Sequence, residues 1–98
     1  MQSGGCVYIV TNAHHNVLYV GVSSELYQRI YKHKEHFYKS SFSDKYNVAK
    51  LVYYEGFAGI EEAIARETQI KKWSRAKKVE LINSLNPEWK DLWEDIVP

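Results

Sequence analysis

Three short runs dense in β-branched and aromatic residues stand out along the chain. They are Cys6-Val7-Tyr8-Ile9-Val10, Val17-Leu18-Tyr19-Val20-Gly21-Val22, and Val48 to Phe57 around Leu51-Val52-Tyr53-Tyr54. Each has the length and composition of a strand. The polar connector Thr11 to Asn16 between the first two predicts a β-hairpin. Strand alternation then sorts the side chains. Val7 and Ile9 share one face with Leu18, Val20 and Val22; Cys6, Tyr8 and Val10 share the other with Val17, Tyr19 and Gly21. A loop of two or four residues centred on His14-His15 pairs Val10 with Tyr19 and Tyr8 with Gly21. Tyr8 and Tyr19 become diagonal neighbours on one face, about 7–8 Å apart, and Gly21 leaves space beside the Tyr8 ring.

Between and after the strands the period changes to that of a helix. Leu26, Ile30, His33 and Phe37 predict a helix from Leu26 to about Tyr38, opened by Ser23-Ser24 as cap and Glu25 as an acid in the first turn. Lys39 to Asn47 reads as a loop. Gly56 and Gly59 bracket a turn, and a helix from Ile60 to Trp73 follows, with Glu61 and Glu62 at its start and Lys71 and Lys72 at its end. Val79 to Leu85 predicts a short helix that Asn86-Pro87 must stop. Trp89, Leu92, Trp93 and Ile96 are spaced as a last amphipathic turn or two. The order β-β-α-β-α-α predicts an α+β fold with a small sheet.

Composition narrows the class. With 98 residues, 45% hydrophobic and 26% charged, the chain is expected to form a single globular domain over residues 1–98, with 1–5 flexible. A lone cysteine, Cys6, excludes an intrachain disulfide and any zinc site needing two thiolates of this chain. His33, His36 and Cys6 match no standard zinc spacing. There is no secretory signal and no apolar run of the length a bilayer requires, so a cytoplasmic protein is expected. The net charge of +1 speaks against a uniformly basic surface but conceals a polarised one. Residues 28–78 carry +6, residues 79–98 carry −4, and residues 1–27 carry −1.

Three sets of side chains break the structural pattern. Arg29 and His33 lie one helical turn apart, with His36 three beyond, a cation and imidazoles able to grip a phosphate. Glu67 falls in the series Ile60, Ala63, Ile64, Glu67, Ile70, Ser74, where the pattern asks for an apolar residue, so its carboxylate must be paired, metal-bound or protonated. Lys71, Lys72, Arg75, Lys77 and Lys78 crowd around Trp73, a combination suited to a phosphate backbone beside a base or sugar.

These residues converge. Val7-Tyr8-Ile9, then Tyr19-Val20-Gly21 eleven residues after Tyr8, then Arg29, His33 and a later helical Glu67 together resemble the GIY-YIG nuclease domain. The likeness runs from about Cys6 to about Leu92. It is nearest to the small stand-alone bacterial proteins of that family, whose Glu62-Ala63-Ile64-Ala65-Arg66-Glu67 to Lys71-Lys72-Trp73 and Asn86-Pro87-Glu88-Trp89 segments this chain matches. The resemblance implies a three-stranded antiparallel sheet flanked by helices and metal-dependent hydrolysis of a DNA phosphodiester, in DNA repair or recombination, with branched or damaged DNA among the substrates. It implies that Tyr19 activates or orients the attacking water with Tyr8 as partner. Arg29 then holds the scissile phosphate with His33 beside it, and Glu67 is the one carboxylate ligand of Mg²⁺ or Mn²⁺. A late asparagine, Asn86 or else Asn83, supports the site. His36, Lys71, Lys72, Arg75, Lys77 and Lys78 join Arg29 in binding DNA. No small-molecule cofactor is implied. The first glycine of the signature is Cys6 here, and its two central isoleucines are Val7 and Val20.

The chemistry accounts for these residue types. A phosphodiester repels nucleophiles, so catalysis needs positive charge on its oxygens. Arg29 supplies a bidentate pair of donors that stay protonated. A single carboxylate with several waters suits Mg²⁺ and one metal rather than two. A phenol ordinarily titrates near pH 10, so a tyrosine base needs a cation beside it. Two other classes share the same sequence: a nucleic-acid-binding module without catalysis, and a protein-interaction domain using the acidic, tryptophan-bearing C-terminal segment.

Overall fold

A computed structural model describes residues 4–35 and 49–98. The hairpin forms as β1 (Gly5–Thr11) and β2 (Leu18–Ser23), in antiparallel register with Tyr8 opposite Gly21 and Val10 opposite Tyr19. Its loop is longer than expected, because the strand ladder stops at Thr11 and Leu18. Asn12 takes over from there. Its carboxamide oxygen accepts the Asn16 and Val17 N–H groups at 3.1 and 3.2 Å, while His15 turns through a positive φ of 57°. β3 (Lys50–Phe57) pairs antiparallel with β1, so the sheet order is β2-β1-β3 and β1 is central.

The β1–β3 register slips between Ile9 and Val10, which face Tyr53 and Leu51. Val52 is the extra residue of a bulge. As a result Val52 and Tyr53 both enter one core, while Leu51 and Tyr54 pack in the other. The sheet thus separates two layers. On one face Val7, Ile9, Val20, Val52 and Tyr53 pack against Ala63, Ile70 and Ile82. These last come from α2 (Ile60–Lys71) and α3 (Arg75–Leu85). On the other face Cys6, Tyr8, Val10 and Leu51 pack against Leu26 and Ile30 of α1 (Leu26–Lys34) and are covered by Leu92, Trp93 and Ile96. The last two belong to α4 (Trp93–Ile96). The architecture is the α+β sheet with flanking helices that the sequence predicts, in the predicted order.

Several boundaries move, each for a local reason. The Ser23 hydroxyl accepts the Glu25 N–H at 2.9 Å before the helix begins, so Glu25 itself is the N-cap of α1 and no acid stands in its first turn. Helix α1 ends at Lys34; Phe37, Tyr38 and His36 lie outside the described residues. Helix α3 starts four residues earlier than its apolar pattern, because the Ser74 hydroxyl caps the Lys77 N–H at 3.2 Å. Leu85 ends it, as Asn86-Pro87 requires. The final amphipathic stretch shortens to the single turn Trp93–Ile96. Among the described residues no helix is long and apolar enough to cross a membrane.

Candidate active site

The hairpin register delivers Tyr8 and Tyr19 to the same face, ring centroids 6.5 Å apart. Gly21 makes this possible. A Cβ there would lie 2.4 Å from both Cζ and the hydroxyl of Tyr8, so the phenol occupies the space that any other residue would fill. Tyr8 is fully buried under α1. From that helix His33 descends onto both rings, its centroid 5.8 Å from Tyr8 and 5.7 Å from Tyr19, each edge-on. The Tyr8 hydroxyl and His33 Nε2 share a 3.2 Å hydrogen bond.

Burial and the nearby positive charge of Arg29 push the His33 pKa down to about 4. At neutral pH the imidazole is therefore uncharged. It is a hydrogen-bonding group between two phenols rather than a second cation for phosphate. Arg29, one turn earlier on α1, remains the charge at this end of the cluster. Three consecutive elements therefore bring Tyr8, Tyr19 and His33 together, with Arg29 beside His33.

Glu67 arrives from the opposite layer. The buried stripe of α2 consists of Ala63 and Ile70, whereas Ile60 and Ile64 are 38% and 46% exposed. The expected apolar series is corrected accordingly: Glu67 borders the core rather than entering it. Its side chain is 15% exposed, and its carboxylate pairs with Lys71 at 3.2 Å. The stripe is narrow because α2 sits very close to β1. A Cβ on Gly5 would lie 3.0 Å from Ile60 Cα and 3.1 Å from the Ala63 side chain.

Which way Glu67 turns follows from its neighbour. Arg66 flanks the stripe on one side, where its guanidinium meets Glu55 of β3 at 3.2 Å and Gln69 at 2.6 Å. Glu55 also accepts the Tyr53 hydroxyl at 2.9 Å, and burial followed by Glu55 pushes the Tyr53 pKa up to about 12. Glu67 lies 100° further round the helix, on the flank away from β3 and toward the β2 edge. The clamp Tyr53–Glu55–Arg66 was absent from the sequence-based expectations, although the strand alternation of Tyr53 and Glu55 was its signal.

Mg²⁺ or Mn²⁺ fits the donor set in one respect. Glu67 offers a hard, partly exposed oxygen whose ion-pair partner Lys71 is 52% exposed and easily displaced. Among the described residues no three His, Cys, Asp or Glu gather as a metal-binding group, so water would complete such a shell.

The remaining predicted residues lie elsewhere. Asn86 is buried with its carboxamide committed to backbone. It donates to the Val52 carbonyl at 3.1 Å and the Lys90 carbonyl at 2.9 Å, and accepts the Lys90 N–H at 3.0 Å. Asn83 accepts the Trp89 indole N–H at 2.6 Å. Arg75 donates to the His15 and Asn16 carbonyls at 2.6 and 3.3 Å, pinning the hairpin loop. Trp73 lies between Arg66 and Lys77, whose charges are 5.1 and 4.4 Å from its ring centre. Lys71, Lys72, Arg75, Lys77 and Lys78 thus line the end of α2 and the start of α3, on the far side of the sheet from Arg29.

Comparison with known proteins accords with this layout. Residues 4–80 match the GIY-YIG catalytic domain. A UPF0213 protein of Syntrophus aciditrophicus (strain SB) is 34% identical over 87 residues, spanning 89% of this chain and 98% of its own. The solution structure of a UPF0213 protein from Bacillus halodurans superposes with a TM-score of 0.57 at 23% identity, over 96% of this chain and 98% of that one. That likeness is one of fold.

Proposed function

The chain belongs to the GIY-YIG family, and from that membership we propose that it is a metal-dependent endonuclease hydrolysing DNA phosphodiester bonds. The observation that carries the reading is the convergence of Tyr8, Tyr19 and His33 from β1, β2 and α1, with Arg29 one turn from His33.

In this reading Arg29 donates to the two non-bridging oxygens of the phosphate, fixing it and offsetting charge that grows during attack. Tyr19, half-buried at the rim of the cluster, positions the attacking water through its hydroxyl. His33 is neutral at working pH. Its 3.2 Å bond to Tyr8 fixes the ring so that it faces Tyr19 in a constant orientation. Glu67 would hold Mg²⁺ or Mn²⁺ at the β2 edge, and the bound ion would stabilise charge on the leaving oxygen. Asn86 acts on architecture, anchoring the Asn86–Lys90 turn to β3, and Lys71, Lys72, Lys77 and Lys78 contribute salt-sensitive attraction for the phosphate backbone.

Incubating the protein with plasmid and branched DNA in Mg²⁺ or Mn²⁺ tests this. Cleavage is expected in wild type. Glu67→Ala should abolish it with DNA affinity nearly intact, and Arg29→Ala should lower both. Binding without cleavage, across metals and substrates, would favour a non-catalytic nucleic-acid-binding module instead.

A further inference from the structure

The chemistry above uses one flank of α1. Leu26, Ile30 and His33 form its buried stripe, and at 100° per residue Arg29 lies to one side of it while Tyr27 and Tyr31 lie to the other. Those two tyrosines, one turn apart, stack with centroids 6.5 Å apart and planes at 25°. Trp93 continues the stack from α4, 5.2 Å from Tyr27 with planes at 17°. Lys34 covers the tryptophan at 5.5 Å. The outcome is a stair of three near-parallel rings whose steps become more open outward, with Tyr27 37% and Tyr31 45% exposed.

Rings ordered in parallel at a surface are a platform on which another flat ring stacks. The surroundings select its chemistry. Between the stair and Arg29 the outer surface of α1 carries exposed Gln28 and Lys32, both donors to phosphate oxygens. Most acids of this edge stand at the tryptophan end, while exposed Glu35 caps the C-terminus of α1 one turn beyond Tyr31. Asp91 is paired with Lys34 at 2.7 Å and accepts the Leu51 and Trp93 N–H groups, and Glu94 and Asp95 follow on α4. The positive charge of the flank between Arg29 and the stair is therefore carried by Arg29 and Lys32, with Glu35 beyond them at the helix end. The breadth of a helix, about 10 Å, is the length of about three nucleotides of a stacked strand. In a duplex each base face is already covered by its neighbours, so only an unpaired base can occupy the stair.

We infer that Tyr27, Tyr31 and Trp93 form a stacking site for an unpaired nucleobase about three nucleotides from the phosphate held by Arg29. The preferred substrate is then DNA with a single-stranded segment beside the cut. This rests on the nuclease reading for its position on the substrate, but the stacking itself is measurable without cleavage.

The test uses the full chain, without divalent metal, and fluorescein-labelled forked DNA against a blunt duplex of equal length, read by anisotropy. Tyr31→Ala should weaken binding to the fork about tenfold and binding to the duplex less than twofold, and Tyr31→Trp should restore it. Abasic sites in the unpaired arm should weaken wild-type binding by a similar factor and add nothing in Tyr31→Ala. The abasic comparison needs no variant, so a folding defect in Tyr31→Ala cannot mask the answer. Equal losses on fork and duplex, or indifference to abasic sites, would overturn the inference. Should the fork show the stacking pattern yet resist cleavage in Mg²⁺ and Mn²⁺, the nuclease reading fails and the stacking site stands. Should both DNAs be cut alike with Tyr31→Ala unimpaired, the reverse holds.

Discussion

The Gly21 contact yields the sharpest prediction. Carbon atoms rest at about 3.5–4.0 Å, and an alanine Cβ at position 21 would meet the Tyr8 ring and hydroxyl at 2.4 Å. The phenol must therefore retreat by about 1 Å. It has nowhere cheap to go, because Tyr8 is fully buried and bonded to His33. Overpacking of this kind costs about 1–3 kcal/mol. For a domain of about 100 residues, a loss near 2 kcal/mol lowers the melting temperature by about 8–16 °C. Cleavage per folded molecule should fall as well, since the displaced phenol no longer holds His33. Circular dichroism melts and single-turnover cleavage of Gly21→Ala read both effects. The double variant Gly21→Ala/Tyr8→Leu separates cause from coincidence, because trimming the ring should relieve the clash. The two stability changes should be non-additive by about 1 kcal/mol or more. Strict additivity, or an unaltered melting temperature in Gly21→Ala, would refute the claim that the glycine exists to admit the ring.

Asn86→Ala should cost about 2–3 kcal/mol in urea denaturation, because three backbone groups lose a buried partner, while cleavage per folded molecule stays unchanged; a selective loss of cleavage would return Asn86 to the chemistry. The depressed pKa of His33, about 4 against an ordinary 6.5, means that the unfolded chain binds its proton first as pH falls. Stability is then complete above about pH 6.5, declines toward pH 4, and differs by about 2 kcal/mol between pH 7.5 and 5. Urea melts of wild type and His33→Gln check this, the variant losing that part of the slope. Arg75→Ala should quicken hydrogen exchange at the Asn16 and Val17 amides without changing the salt dependence of DNA binding, because its guanidinium is spent on the loop carbonyls; a salt slope lower by about one would make it a phosphate contact.

How much could be read from sequence depended on what kind of packing each residue obeys. Tyr8, Tyr19 and Gly21 were legible because a strand has a period of two and the hairpin centre fixes every pairing. The loop of six residues left that register intact, since Asn12 closes the turn symmetrically about the same centre. Glu67 was half legible. Its position in a helical series was correct, but the series overvalued Ile60 and Ile64. Close approach of α2 to β1 is made by Gly5 and Ala63, small residues that an apolar count barely registers, and it excludes the larger ones from the interface. The bulge at Val52 was invisible to alternation, which assigns Val52 and Tyr53 to opposite faces. Asn86 was a site candidate through the family resemblance alone, and its three hydrogen bonds to the backbone of Val52 and Lys90 come from a chain reversal that no residue spacing marks.

The sheet also reorganises the charge. In sequence, residues 28–78 form one basic block of +6. In the fold, Arg29, Lys32 and Lys34 lie on α1 above one face, whereas Lys71, Lys72, Arg75, Lys77 and Lys78 lie around the α2–α3 junction beneath the other. A substrate resting flat on one face would meet three of these charges, Arg29 among them, and on the other five, together with Glu67. The β2 edge is the boundary the two layers share, since β2 is an outer strand and β3 closes the opposite side. Tyr19 is carried by that edge strand, Arg29 stands beside His33 on α1, and the Arg66–Glu55 clamp leaves Glu67 on the flank of α2 away from β3. In the proposed nuclease reading, an ion held by Glu67 and the Arg29 guanidinium would act on one phosphate only with the scissile bond running along the β2 edge. The rotation of α2, fixed on its far side by Glu55 of β3, would then set how far the carboxylate stands from such a phosphate.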